Sequence, residues 1–202
     1  MAGTALIDYG AGNLRSVYNA LTAAGADQIC VTADPDMVAK ADRILLPGVG
    51  AFAACMRGLT AIDGLIDALE QRVRGDGAPF LGICVGMQLL AEAGEEYGHH
   101  QGLGWISGTV KPFPSAPDLR IPHMGWNDVI PAAPHPVIAP GEAYFLHSFH
   151  FADAQDVAAT SHHGGEFVAA VARDNIIGVQ FHPEKSQAYG LATLKRFLAW
   201  RP

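Results

Sequence analysis

Four short apolar runs set the frame of this chain: residues 4–8, 28–32, 43–46 and 79–83. Segments of helical pattern separate them. Asn13 is placed to cap a helix that carries Leu14, Val17, Tyr18, Leu21 and Ala24 on one face, and Gly25 stops it. Residues 51–59 and 62–74 have the same helical character, as do residues 85–93, which run up to Gly94. Apolar runs that alternate with helical segments argue for parallel strands joined by helices. Beyond Gly102 the pattern changes to a stretch rich in proline and glycine, with β-type runs such as residues 105–110. Antiparallel hairpins and long loops are expected there. Residues 143–146, 166–172 and 176–181 read as further strands. Residues 186–200 read as a closing helix with Leu191, Leu194, Phe197 and Leu198 at helical spacing. No repeat and no linker divides the sequence, so a single domain over residues 1–202 is expected.

Composition removes several classes of function. Half of the 202 residues are hydrophobic and 16% are charged, which is too apolar for a disordered chain. The formal charge of −7 comes without any basic block, so nucleic acid is not an expected partner. The amino-terminal residues lack a cationic start and soon reach Asp8, unlike a secretory signal. The longest uncharged apolar run, residues 78–91, is interrupted by Pro79, Gly82, Gly86 and Gln88 and is too short to span a bilayer. Cys30, Cys55 and Cys84 are odd in number and widely spaced, with neither zinc spacing nor a disulfide framework. A reducing cytoplasm is the expected location.

Three elements carry chemistry. In Gly82-Ile83-Cys84-Val85-Gly86, glycines two residues either side of a cysteine give room for a sharp strand-to-helix elbow. At a helix start the thiolate is favoured, and the Val85 amide faces the same point as one donor for a developing oxyanion. A buried core cysteine remains open on these residues alone. In Phe181-His182-Pro183-Glu184 a strand releases His182 at its carboxyl end, and Glu184 is within reach of the far ring nitrogen. A solvated surface pair is the alternative. With Cys84 at another strand end, a Cys-His-Glu relay becomes the better account, because sites in α/β proteins form at the carboxyl ends of strands. Pro47-Gly48-Val49-Gly50 follows the third strand and is either a simple turn or a second wall for the oxyanion. The pairs His99-His100 and His162-His163 lack a carboxylate or cysteine to complete a ligand set, so no metal is expected.

In order along the chain, residues 7–14, 46–52, 82–90, 122–127 and 178–186 resemble the class I, or triad, glutamine amidotransferases. Within them, the resemblance narrows to the glutaminase subunits of imidazole glycerol phosphate synthases. It implies a flavodoxin-like α/β fold with a mixed, mostly parallel central sheet, helices on both faces and antiparallel hairpins in the second half. It further implies that Cys84 attacks the side-chain amide of glutamine, forming a γ-glutamyl thioester and expelling ammonia. His182 would donate the proton with which the amide nitrogen departs as ammonia, and later activate water, with Glu184 orienting it. Val49, Gly50 and Val85 would supply the oxyanion hole after a backbone rearrangement around residues 47–50. Gly48, Gln88, Glu96, His147, Ser148 and Phe149 would bind glutamine. Where many relatives carry His-Ser-Tyr this chain has His147-Ser148-Phe149. In the family that strand's backbone contacts the amino-acid end of glutamine, so the resemblance implies no need for a side-chain hydroxyl at position 149.

Residues 122–127 have no evident chemistry of their own and read plainly as a loop with a buried tryptophan. The resemblance instead places His123, Met124 and Trp126, with Asn13 and Lys185, against a cyclase subunit in a heterodimer. No cofactor and no membrane enter this picture. Free ammonia in neutral water is mostly protonated and no longer nucleophilic, which is the chemical reason for a docked, water-excluding partner. The competing possibilities are another enzyme on the same fold, either an ammonia-donating glutaminase for a different acceptor or a free-standing cysteine hydrolase, and a non-catalytic regulatory or scaffold domain. Residues 122–127 disfavour the first class, and the intact Cys84, His182 and Glu184 set disfavours the second.

Overall fold

Residues 3–117 and 119–202 are described by a computed structural model. The first half builds β1 (Thr4–Ile7), α1 (Leu14–Ala23), β2 (Ile29–Thr32), α2 (Pro35–Ala39), β3 (Arg43–Gly48), α3 (Phe52–Thr60), α4 (Leu65–Glu70), β4 (Phe80–Cys84) and α5 (Val85–Gln88). Then come β5 (Ala93–Gly94), β6 (His100–Gln101), β7 (Thr109–Pro112), β8 (His123–Pro131), β9 (Gly141–His147) and β10 (Phe149–Ala152). The chain closes with β11 (Val157–His162), β12 (Glu166–Arg173), β13 (Ile176–Val179) and α6 (Gln187–Ala199). Among the described residues no helix is long and apolar enough to cross a membrane.

Nine strands form one mixed sheet in the order β2-β1-β3-β4-β13-β12-β11-β8-β9. From β2 to β13 neighbouring strands run parallel; from β13 to β9 they run antiparallel. The strand order reverses at β1, so right-handed crossovers put α1 on one face and α2 to α4 on the other. The hairpins expected in the second half therefore extend the central sheet, while β10-β7-β5-β6 make a smaller one. Parallel strands covered on both faces should be apolar throughout, and Leu6, Ile7, Ile44, Leu45, Leu46, Phe80 and Leu81 are fully buried. Each such side chain contributes roughly 1.5–3 kcal/mol relative to exposure.

Local chemistry sets the element ends. The Asn13 side chain accepts from Ser16 N and opens α1; Asp34 caps α2 in the same way, with Pro35 in its first turn. The helix expected over residues 62–74 starts later, because Gly64 takes a left-handed turn (φ 74°) ahead of Leu65, and its last turn, Gln71–Gly75, widens to π geometry.

Two larger differences lie downstream. The helix expected over residues 85–93 stops after Gln88. The carbonyls of Leu89, Leu90 and Ala91, which a continuing helix would use, instead accept from Leu103, Gly104, Trp105 and Ile106. Tertiary hydrogen bonds win over a local helical pattern. The loop expected around residues 122–127 is the first half of the nine-residue strand β8. Its side chains alternate, so Trp126 is half exposed rather than buried.

Candidate active site

Cys84 ends β4 and stands at the first turn of α5 with φ 55° and ψ −112°. A non-glycine residue there is strained, and such strain survives only where surrounding structure enforces it. Here the enforcing contacts are backbone against backbone. A Cβ on Gly82 would lie 2.5 Å from the Gly86 carbonyl oxygen, and a Cβ on Gly86 would run into the carbonyl oxygen of Leu46. The two glycines let α5 fold back onto β3 and β4, and the turn presses Cys84 forward. The thiol is 4% exposed, with Sγ 3.8 Å from Gln180 Nε2 and 3.9 Å from the Leu146 carbonyl oxygen.

His182 arrives from the neighbouring strand. In register, Ile83 pairs with Val179 of β13, and Gly48 at the end of β3 pairs with Cys84. Three adjacent strand ends therefore bring Gly48, Cys84 and His182 together. The His182 amide donates to the Tyr144 carbonyl at 2.9 Å, and its Nδ1 lies 2.8 Å from Glu184 Oε1 with both side chains buried. Because a carboxylate only accepts, Nδ1 carries the proton and Nε2 is left for chemistry. Burial alone would push this imidazole down. The hydrogen bonds and charges of Cys84 and Glu184 outweigh it and raise the pKa to about 10.

Val49 and Gly50 form the opposite wall. Val49 is 43% exposed, and its carbonyl accepts from the buried Cys55 thiol at 3.4 Å. The Tyr9 hydroxyl donates to the Pro47 carbonyl at 2.8 Å. Burial raises the pKa of both Tyr9 and Cys55, so they hold this loop as neutral donors. Neither was legible as a site residue from sequence.

A cavity of about 390 Å³ opens between these walls, lined by Val49, Gly50, Cys84, Val85, Gln88, Glu96 and residues 146–149. Gln88 is 3% exposed, and its Nε2 donates to the carbonyl of Phe149 and to Gln180 Oε1, each at 3.0 Å. Both amide protons are thus spent, which leaves its Oε1 to accept from a ligand. Glu96 accepts from the Phe52 amide at 2.7 Å at the start of α3, so one carboxylate oxygen supports a helix while its charge faces the cavity. A larger groove of about 580 Å³ lies beside β2, between Tyr18, Gln28 and Met37. It is remote from Cys84 and His182, and the smaller cavity is the one with reactive groups. Among the described residues no group of three or more His, Cys, Asp or Glu side chains could hold a metal ion.

The residues expected to face a partner divide. Met124 is 65% and Trp126 47% exposed, on the outward side of β8. Trp126 meets Tyr144 edge-on at 6.2 Å, and Lys185 Nζ lies 5.9 Å above the Tyr144 ring, so these side chains share one face. Asn13 sits at the start of α1 with its side-chain oxygen engaged in capping. His123 does not belong with them: it is 5% exposed and turns inward onto His147, because it occupies the opposite parity of the strand. Ser186 and Gln180, both fully buried, were missed as site residues. Ser186 Oγ donates to the His182 carbonyl at 2.7 Å and accepts from Tyr144 N at 2.9 Å, fixing the histidine's strand end to β9. A glutamine inside the apolar run 176–181 was the available signal for Gln180.

The sequence matches the family Glutamine amidotransferase class-I over residues 5–199. It is 61% identical to the imidazole glycerol phosphate synthase subunit HisH of Zymomonas mobilis, over 98% of this chain and 96% of that protein. The protein of the same description from Caulobacter vibrioides is 55% identical over the whole of both chains. Among solved structures, a glutamine amidotransferase superposes with a TM-score of 0.75 at 19% identity, covering 98% of this chain and 99% of that one. PurLQS from Thermotoga maritima gives 0.71 at 20% identity, covering 98% and 97%. These distant structures carry the fold.

Proposed function

The chain belongs to the class I glutamine amidotransferase family, and from that premise we propose that it is the glutaminase subunit of an imidazole glycerol phosphate synthase. It hydrolyses L-glutamine and passes the ammonia to a cyclase subunit in histidine biosynthesis. The observation that carries this reading is the strained Cys84 beside the buried His182–Glu184 pair, at a cavity lined in part by Pro122 and Leu146, the second of which pairs with the exposed Met124.

The thiolate of Cys84 attacks the side-chain carbonyl carbon of glutamine. The oxyanion that forms is met by the Val85 amide at the start of α5 and by backbone of the Val49–Gly50 wall. His182 gives its Nε2 proton to the departing nitrogen, which leaves as ammonia, and the glutamyl group stays on sulfur as a thioester. The neutral ring then takes a proton from water, hydroxide attacks the thioester, and glutamate leaves as the thiolate is restored. Gln88 Oε1 and the Glu96 carboxylate supply acceptors for the amino-acid end, and the backbone of residues 147–149 lines that end of the cavity. Three free cysteines, including the reactive one, fit a reducing cytoplasm.

Ammonia has to leave towards its acceptor without meeting bulk water. An exposed Met124 and Trp126 beside Tyr144 and Lys185 make an apolar face with a cationic edge, suited to a partner that closes over the cavity. Glutamate release is therefore expected to be slow for the chain alone and strongly stimulated by the cyclase subunit with its nucleotide ligand. Equal release in both mixtures would mean an independent amidohydrolase. The Trp126→Asp substitution should weaken the complex by about a hundredfold or more, as for a central aromatic anchor, without altering the fold of the free chain. Isothermal titration and circular dichroism measure the two effects.

Glu184→Gln keeps the side-chain shape and removes one of the interactions that raise the His182 pKa. The imidazolium then persists over a narrower range, so the basic limb of the kcat/KM profile for glutamate release should move to lower pH. The rate itself should fall roughly 10²–10⁴-fold, the range seen for loss of the orienting member of such triads. An unmoved basic limb would show that Glu184 does not tune the base.

A further inference from the structure

Behind the exposed face of β8 a run of polar side chains, most of them buried, leads towards the glutamine cavity, and the proposed chemistry gives no role to its first members, Asn127 and His123. Asn127 Nδ2 is 3.1 Å from His123 Nε2 and donates to the His162 carbonyl at 2.8 Å. His123 Nδ1 is 3.0 Å from His147 Nε2, and His147 Nδ1 is 2.8 Å from the Phe149 carbonyl oxygen. That same oxygen accepts from Gln88, which also donates to Gln180, whose Nε2 reaches the sulfur of Cys84. The chain of contacts begins on the inward side of β8 and ends at the reactive thiol.

Donor and acceptor rules allow one proton arrangement for it. A carbonyl only accepts, so His147 carries its proton on Nδ1 and offers Nε2 as an acceptor. His123 must then donate from Nδ1, which leaves its Nε2 to accept from the Asn127 amide. The Asn127 orientation is fixed independently, because its Oδ1 accepts from Asp128 N and its Nδ2 donates to His162. Both rings are closely packed: Phe113, Phe145 and Phe167 lie with centroids 5.1–6.5 Å from one or both. Burial, followed by the charge of His163, lowers the His123 pKa to about 4, and burial above all lowers that of His147 to about 3. Two neutral imidazoles thus sit where phenylalanines would pack as well.

We propose that His123 and His147 are positioning residues, a tautomer-locked imidazole pair that couples the partner-facing strand β8 to the Phe149 carbonyl and so to Gln88 in the glutamine cavity. The proposal rests on the partner-gated glutaminase reading above. A partner that presses on Met124 and Trp126 shifts β8, and the next side chain on the inward side is His123. The pair passes that shift to residues 147–149, the wall against which glutamine lies, through directional hydrogen bonds that phenylalanine would lack.

The test compares His123→Phe with His123→Gln in the complex with the cyclase subunit. Phenylalanine keeps the packing and removes the relay; glutamine keeps one donor and one acceptor. His123→Phe is expected to lower the partner-stimulated kcat for glutamate release by about tenfold or more, while turnover with added ammonia stays within about twofold of wild type. His123→Gln should recover the glutamine-dependent rate to within about threefold. A fully active His123→Phe, or a His123→Gln as impaired as His123→Phe, overturns the proposal. Nitrogen-15 spectra of the wild-type complex give a second decision if a variant does not fold: both rings should be Nδ1-protonated with bare Nε2. An Nε2-protonated or charged ring overturns it. A wild-type complex no faster than the free chain would overturn the partner-gated reading itself, and the ring tautomers would still decide whether the pair is locked.

Discussion

Cys84→Ala is expected to abolish glutamine-dependent product formation by the complex, by at least about a thousandfold, and to leave ammonia-dependent formation within about twofold of wild type. The asymmetry follows from where the proposed mechanism has the sulfur act. Without it no thioester forms, and neither His182 nor the oxyanion donors can replace a covalent nucleophile. Externally supplied ammonia bypasses this subunit's chemistry and needs only the docked assembly, and the proposed docking residues Met124 and Trp126 lie on a different strand. The replaced side chain is small, buried and flanked by Gln180 and the Leu146 carbonyl, so the free chain should melt close to wild type. Steady-state assays with glutamine and then with an ammonium salt measure the split. Retained glutamine turnover would remove Cys84 from the mechanism, and parallel loss of both activities would point to damaged docking.

The parts of this site legible in sequence were those fixed by backbone geometry. Gly82 and Gly86 around Cys84 announced an elbow because few side chains fit where a helix folds back onto its own strand. His182 and Glu184 were readable because a strand end, a proline and a carboxylate two residues away leave the ring few places to go. What stayed hidden depended on partners distant in sequence. Gln180 and Ser186 gain their roles from Gln88, Cys84 and Tyr144, none of which is a neighbour in the chain. The helix expected over residues 85–93 failed for the same reason, since the residues 103–106 that take its carbonyls belong to a loop. Strand β8 was missed because Gly125, Asn127 and Asp128 weaken its β pattern, and its pairing to β9 and β11 outweighs that propensity. Without the strand its parity is not legible, and nothing in the sequence separates the buried His123 from the exposed Met124 and Trp126.

Gly86→Ala should be among the most damaging single methyls in the molecule, lowering the stability of the free chain by about 3 kcal/mol or more and its melting temperature by roughly 10 °C. The new Cβ would collide with the carbonyl oxygen of Leu46 and come within 2.9 Å of its carbon. These are backbone atoms of β3, hydrogen-bonded into the parallel sheet, and they cannot turn aside as a side chain can. Relief has to come from α5 moving off β3. That movement would carry the Val85 amide away from the thiol and open the contact between Gly86 N and Gly48, where a Cβ on Gly48 would already approach to 2.6 Å. Glutamine-dependent turnover in any folded fraction should therefore fall by about a hundredfold or more, since one of the oxyanion donors moves with the helix. Gly165→Ala is the matched control: nothing lies within 4 Å of its Cβ, and reduced freedom of the unfolded chain should leave it unchanged or stabilised by up to about 1 kcal/mol. If Gly86→Ala melted with the control and kept its activity, the elbow would have slack. The strain at Cys84 could not then be credited to the packing of α5 on β3.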